Sequence, residues 1–402
     1  MRDVAVIGVG MTKFGKFLDR GLKDLAREAV TEALQSAGLD RSRVEVAVVG
    51  NAVAGLITGQ EMIRGQVVLR DLGIGGIPVV NAENACASSS TAFHLAWMYV
   101  ASGLYDVALA LGMEKLYHED KRLSFRAIGT AVDMEKFQKK GADDSAAMVP
   151  GEGAGEKRTM FMDFYANFAR QYMEKYGATK EDFARVAVKN HWHGSLNPKA
   201  QYREVYTLED VLNAPVVAEP LTRPMCSPIG DGAAAAILVP ASRAREFTSR
   251  PVFVRASVLV SGADHAPGEP TAPERAARRA YEMAGLGPED LDVIELHDAA
   301  APAELIIYEE LGLCPRGEAP GLLRSGYTKL GGRLPVNPSG GLISKGHPVG
   351  ATGIAQICEI FWQLRGEAGE RQVEGARVGL TENAGGMIKG DVAASSIHIL
   401  SL

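Results

Sequence analysis

The sequence predicts a duplicated α/β protein, in which two similar halves form a sandwich with helices between and outside two sheets, and a lobe is inserted between the halves. Three observations lead there. The chain opens on βαβ grammar, a downstream stretch repeats that grammar, and a long middle segment fits neither copy.

Val4 to Gly8 reads as an apolar strand. Leu22, Leu25, Ala26, Ala29, Val30, Ala33 and Leu34 then recur at the spacing of one buried helix face, the helix stops at Gly38, and Val44 to Val49 reads as a buried strand. The segment Glu28 to Leu39 is matched in pattern and spacing by Arg275 to Leu286, each followed by an acidic turn and an apolar strand. A second echo pairs the helix after Cys86 and the strand Asp106 to Gly112 with the helix Gly353 to Leu364 and the strand Ala376 to Leu380. The halves are then residues 1–117 plus 222–245 and residues 246–402, with the copies packed face to face. Residues 118–221 form the inserted lobe, whose Met and aromatic stripe, Met160 to Tyr165, reads as core rather than a cofactor box.

With 402 residues, 46% of them hydrophobic, the chain can bury a large core. A net charge of -6 and the lack of a basic stripe argue against nucleic-acid binding. The four cysteines, Cys86, Cys226, Cys314 and Cys358, are scattered without a CxxC pair, which speaks against a disulfide framework or a structural zinc site and for a reducing, cytoplasmic setting. The first residues run straight into a strand, leaving no room for a signal peptide. No membrane span is expected, because the longest uncharged apolar run, Gly232 to Val239, is far short of the roughly 20 residues a spanning helix needs. The ending Leu400-Ser401-Leu402 lacks the basic residue of the usual peroxisomal tripeptide.

The stretch Asn81 to Ala92 sets Cys86 between a turn and a helix whose buried face carries Ala92, Leu95, Ala96, Tyr99 and Val100. Near a helix N-terminus, free backbone N–H groups and the macrodipole favour the thiolate, the nucleophilic form of cysteine. Three further stretches stand out. They are Glu295-Leu296-His297-Asp298, Asn337-Pro338-Ser339-Gly340-Gly341 with Gly346-His347-Pro348-Val349-Gly350-Ala351-Thr352-Gly353, and Glu382-Asn383-Ala384-Gly385-Gly386.

In content, order and spacing these stretches resemble the thiolase family over essentially the whole chain, and the His297-Asp298 pair is closest to the sterol-carrier-protein type and archaeal thiolases. The resemblance implies acyl transfer between coenzyme A thioesters. Cys86 would carry the acyl group, His297 and His347 would hold the oxygen that becomes an enolate, and His347 could also take the thiol proton. The backbone N–H groups of Cys86 and Ala384 would hold the tetrahedral oxygen, and Ser227 would touch pantetheine. No metal or resident cofactor is implied, and coenzyme A thioesters enter as substrates. A homodimer or tetramer follows by resemblance, with a small OB-fold and zinc-ribbon protein as a further partner. His191 and His193 have a spacing two metal ligands could share, yet a loop role fits better without a third ligand, and His94 reads as structural.

One departure is plain. The second cysteine that thiolases use as acid and base is missing, since Ala299 and Ala300 follow the His-Asp pair and Glu382 stands near its other usual place. Glu382 with a pKa raised by burial is one replacement; a structural carboxylate is the other. The Cys86, His297, His347 set also resembles the decarboxylating ketosynthases, so decarboxylating condensation or transfer to a non-CoA acceptor stays open. A third reading is an acyl-CoA or lipid-binding subunit acting with its partner.

Overall fold

The computed structural model describes residues 1–135, 153–264, 266 and 268–402; residues 136–152, part of the inserted lobe, lie outside the described residues. Among the described residues, nine strands form one mixed sheet in the order β3-β2-β4-β7-β1-β8-β11-β10-β9. The first wing contains β1 (Val4–Met11), β2 (Val46–Gly50), β3 (Val79–Ala82), β4 (Ala108–Glu114) and β7 (Gly232–Pro240). The second contains β8 (Val252–Ser261), β9 (Val293–Glu295), β10 (Val378–Ile388) and β11 (Asp391–Ser401). A small ribbon of β5 (Val216–Ala218) and β6 (Leu221–Thr222) stands apart.

The wings repeat one plan. In the first, β2 runs parallel to β3 and β4, while β7 is antiparallel to both β4 and β1. In the second, β9 runs parallel to β10, Ile294 bridges Val336 in parallel, and β11 is antiparallel to both β10 and β8. The helices that echo in sequence end alike. Leu22–Ala37 stops at Gly38 with φ 60 and Ala272–Ala284 at Gly285 with φ 65, conformations glycine adopts without a Cβ penalty.

The wings are also hydrogen-bonded edge to edge through antiparallel β1 and β8, a connection that face-to-face packing of two separate copies does not include. The helices Ser88–Ala101 and Thr352–Arg365 lie together on the inner side of both wings, where Phe93, Ala96, Ile354 and Phe361 share one core with Val4 and Val6. Ala5 and Ile7 face the outer core instead. A register shift between Val6 and Gly8 then changes the phase of β1, so that Val9 and Met11 return to the inner side.

The lobe helices Met160–Tyr176 and Lys180–Ser195 pack on the second half through Ala166, Ala169, Phe183 and Ala187 against Leu305 and Tyr308. The stripe Met160 to Tyr165 is thus partly core, as Met162 and Phe164 are buried, and partly cavity wall, as Phe161, Met162 and Tyr165 line the cavity over Cys86. Among the described residues no helix is long and apolar enough to cross a membrane.

Candidate active site

Cys86 sits two residues ahead of the helix Ser88–Ala101. The turn is tight, because Ala85 has φ 49 and Ser88 Oγ both accepts from the Asn84 N–H at 3.0 Å and donates to the Ala85 carbonyl at 2.6 Å. Strand β10 closes on this turn at Gly385, where a Cβ would lie 2.1 Å from the Asn84 carbonyl, so only glycine fits. The second central helix arrives from the other half, with the Ile354 N–H donating to Ser89 Oγ at 3.1 Å. Two helix N-termini therefore converge on one place, as the duplication implied.

Cys86 Sγ and ring nitrogens of His297 and His347 all lie within 4.8 Å of one another, and the two rings meet edge to face at 5.1 Å. Their outer nitrogens are held differently. Thr352 Oγ1 donates to the Pro348 carbonyl at 3.1 Å and so accepts from His347 Nδ1–H at 2.7 Å, which leaves His347 Nε2 with a lone pair. Asn383 Nδ2 donates to His297 Nδ1 at 2.9 Å, while its Oδ1 accepts from Ser90 Oγ at 2.7 Å, so His297 carries its proton on Nε2. One imidazole is a base and the other a donor. Burial lowers the pKa of both, His297 to about 3, so both rings are neutral at physiological pH.

The thiol differs from expectation. Burial, and then the Glu114 carboxylate, push Cys86 up to about 12, outweighing the N–H groups of Gly386 and of Cys86 itself that face the sulfur. The helix terminus does not make a standing thiolate, and the sulfur is held as a thiol at rest. Those same two N–H groups surround the sulfur, whereas Ala384 contributes cavity wall.

Glu382 is fully buried and does not line the cavity. Its Oε2 accepts from the His297 backbone N–H at 3.0 Å, its Oε1 has no partner among the described residues, and burial raises its pKa to about 8. Asp298 does not hold the His297 ring either. It accepts from the Leu342 N–H at 2.6 Å and from Asn190 Nδ2 at 2.8 Å, fixing the lobe to the second half.

Two residues that sequence reasoning passed over frame the site. Asn383 sets the His297 tautomer, and Glu114 on β4 gathers the N–H groups of Ala52, Val53 and Gly350 and the Asn51 amide, so it ties the Gly-His-Pro turn to the first half. Its burial gives it a pKa near 7. The only sequence signal was a Glu at the end of an apolar strand, where a buried charge needs such partners.

His191, His193 and His94 are braces. His191 Nε2 meets the Pro224 carbonyl at 3.0 Å, and His193 joins the Asn337 carbonyl at 2.9 Å to the Leu330 N–H at 3.0 Å. His94 is half-buried, with Nδ1 2.9 Å from Ser257 Oγ. The three site atoms offer a soft cation two nitrogens and a sulfur, yet His297 Nε2 carries a proton and the Cys86 thiol holds its own, which suits proton transfer better than ligation.

Above the three residues opens a cavity of about 530 Å³. Leu116, Ile128, Phe161 and Val349 supply apolar wall, Ser227 and Ala299 lie on it, and six cations, Lys16, Arg64, Lys121, Lys157, Arg158 and Arg223, outnumber the carboxylates of Glu61 and Glu83.

A cavity ending on a half-buried cysteine between two neutral histidines, inside a duplicated sheet, suits acyl transfer. The chain belongs to the thiolase family, matching the thiolase N-terminal domain over residues 4–242 and the thiolase C-terminal domain-like family over residues 261–401. It is 44% identical to the acetyl-CoA acetyltransferase of Methanothermobacter thermautotrophicus, with all of both chains covered. It is 39% identical to sterol carrier protein 2 of Bos taurus, over 95% of this chain and 70% of that one. Among solved structures, the Ltp2-ChsH2(DUF35) aldolase superposes with a TM-score of 0.79 at 28% identity, over 99% of this chain and 97% of that one. The protein is a thiolase-type acyltransferase.

Proposed function

We propose that the chain catalyses Claisen condensation or thiolysis of 3-oxoacyl-CoA through an acyl group carried on Cys86. The observation that carries this is the meeting of Cys86 Sγ with His297 and His347 within 4.8 Å, one histidine held as acceptor and the other as donor. His347 Nε2 takes the thiol proton as Sγ attacks the acyl carbon. The N–H groups of Cys86 and Gly386, already aimed at the sulfur, donate to the tetrahedral oxygen, a role the family resemblance assigned to Cys86 and Ala384. His297 Nε2–H holds the thioester oxygen of the second acyl-CoA as it becomes an enolate. Glu382 then positions His297 through its backbone N–H rather than meeting substrate.

Ser227 and the six cations on the cavity wall fit a pantetheine arm and its phosphates. The scheme calls for no resident metal or cofactor. The similarity to an acetyl-CoA acetyltransferase supports acetyl-CoA as one substrate, and neither the decarboxylating nor the binding-subunit reading is favoured. A homodimer is supported by β3, an edge strand paired on one side only, with Met62 and Ile63 exposed just before the helix Arg64–Asp71 that packs on it. The Ltp2-ChsH2(DUF35) complex supports a small partner protein. Four unpaired cysteines suit a reducing, cytoplasmic setting.

The test is thiolysis of acetoacetyl-CoA by wild type, Cys86→Ala and His347→Ala. Turnover by wild type alone is expected; equal turnover by Cys86→Ala would remove the reading.

A further inference from the structure

The reaction moves two protons. His347 holds the one that leaves the Cys86 thiol, and a second must reach C2 of the departing acyl-CoA when the carbon bond breaks. Glu382 is off the cavity wall. Cys226 is on the wall, but its thiol donates to the Thr222 carbonyl at 3.5 Å, and Ser124 Oγ donates to the Leu116 carbonyl at 2.7 Å. Tyr165 remains. It stands on the lobe helix Met160–Tyr176, lines the same cavity as Cys86, His297 and His347, and keeps its ring in place against Phe168 at 6.4 Å. Tyr165 is only partly buried, and no described residue makes a hydrogen bond with its hydroxyl, which stays accessible to a substrate in the cavity.

We propose that Tyr165 is the second proton carrier of the reaction, which rests on the acyl-Cys86 reading above. In the cleavage direction, Cys86 Sγ bonds to C3 and the C2–C3 electron pair becomes the enolate held by His297. The Tyr165 O–H bond breaks and its proton forms the new C2–H bond. The incoming CoA thiol returns a proton to the tyrosinate, and its sulfur takes the acyl group from Cys86. The freed Cys86 sulfur recovers its proton from His347, so every group ends as it began. Condensation runs the same steps backwards. Burial holds Tyr165 protonated at rest, the form that cleavage uses first.

Exchange of acyl groups between acetyl-CoA and Cys86 needs only His347, so the two proton carriers can be separated. Wild type and Tyr165→Phe are compared for acetyl-Cys86 by intact mass, for thiolysis of acetoacetyl-CoA, and for exchange of the acetyl-CoA C2 hydrogens with deuterium. The expected result is acetylation within about 2-fold of wild type, with thiolysis kcat and deuterium exchange reduced by about 100-fold or more at little change in KM. Unchanged thiolysis and exchange would overturn the proposal, and so would an equal loss of acetylation, which marks the hydroxyl as structural. Absence of acetyl-Cys86 on wild type would instead overturn the acyl-enzyme reading and the proposal with it.

Discussion

Asn383 Nδ2 lies 2.9 Å from His297 Nδ1, and this contact determines which nitrogen of His297 faces the substrate with a proton. In Asn383→Asp the carboxylate can only accept, so Nδ1 takes the proton and Nε2 loses it. The expected outcome is a fall in kcat of about 100-fold, the loss typical of one missing oxyanion donor, with KM little changed. A kcat within a few-fold of wild type would show that the tautomer does not matter.

His347 is fixed in the opposite sense by Thr352. Thr352→Val removes the acceptor of His347 Nδ1–H, so Nε2 no longer presents a settled lone pair to the thiol. Stopped-flow acylation of Cys86 should slow by about 10-fold or more, with substrate affinity preserved.

Glu382 supplies a pH test. Its folded pKa of about 8 lies above the ordinary value of 4.5, so the folded protein holds that proton more tightly than the unfolded chain. The resulting stability is complete below about pH 4.5 and is lost as pH rises towards 8. Glu382→Gln mimics the protonated acid and should show a flatter stability profile across that window in thermal melts. Parallel profiles for the two proteins would contradict the assignment.

Much of this was legible in the chain. The 3.6-residue periodicity gave the helix after Cys86, and Gly38 and Gly285 at matching places gave the duplication. Cys86, His297 and His347 could be named because each lies in a short local pattern. The tautomers could not, since Asn383 and Thr352 act through contacts with a turn or another strand. Edge pairing of β1 with β8 was equally hidden, because an apolar strand looks the same whichever neighbour it meets. The state of the thiol was misjudged for a related reason: a helix terminus is a local feature, whereas burial and the Glu114 charge arise only on folding.

Glu114 joins the halves beneath the site. Glu114→Ala strands the N–H groups of Ala52, Val53 and Gly350 in a dry environment, which should cost on the order of 3 kcal/mol of stability, read by denaturant unfolding. Activity should fall as well, since the turn carrying His347 loses its anchor.

The central claim is the acyl group on Cys86, and intact-protein mass spectrometry after brief incubation with acetyl-CoA tests it most directly. Wild type should gain the mass of one acetyl group while Cys86→Ala gains none. An equal gain on both proteins, or none on wild type despite measurable acetyl-CoA binding, would contradict it.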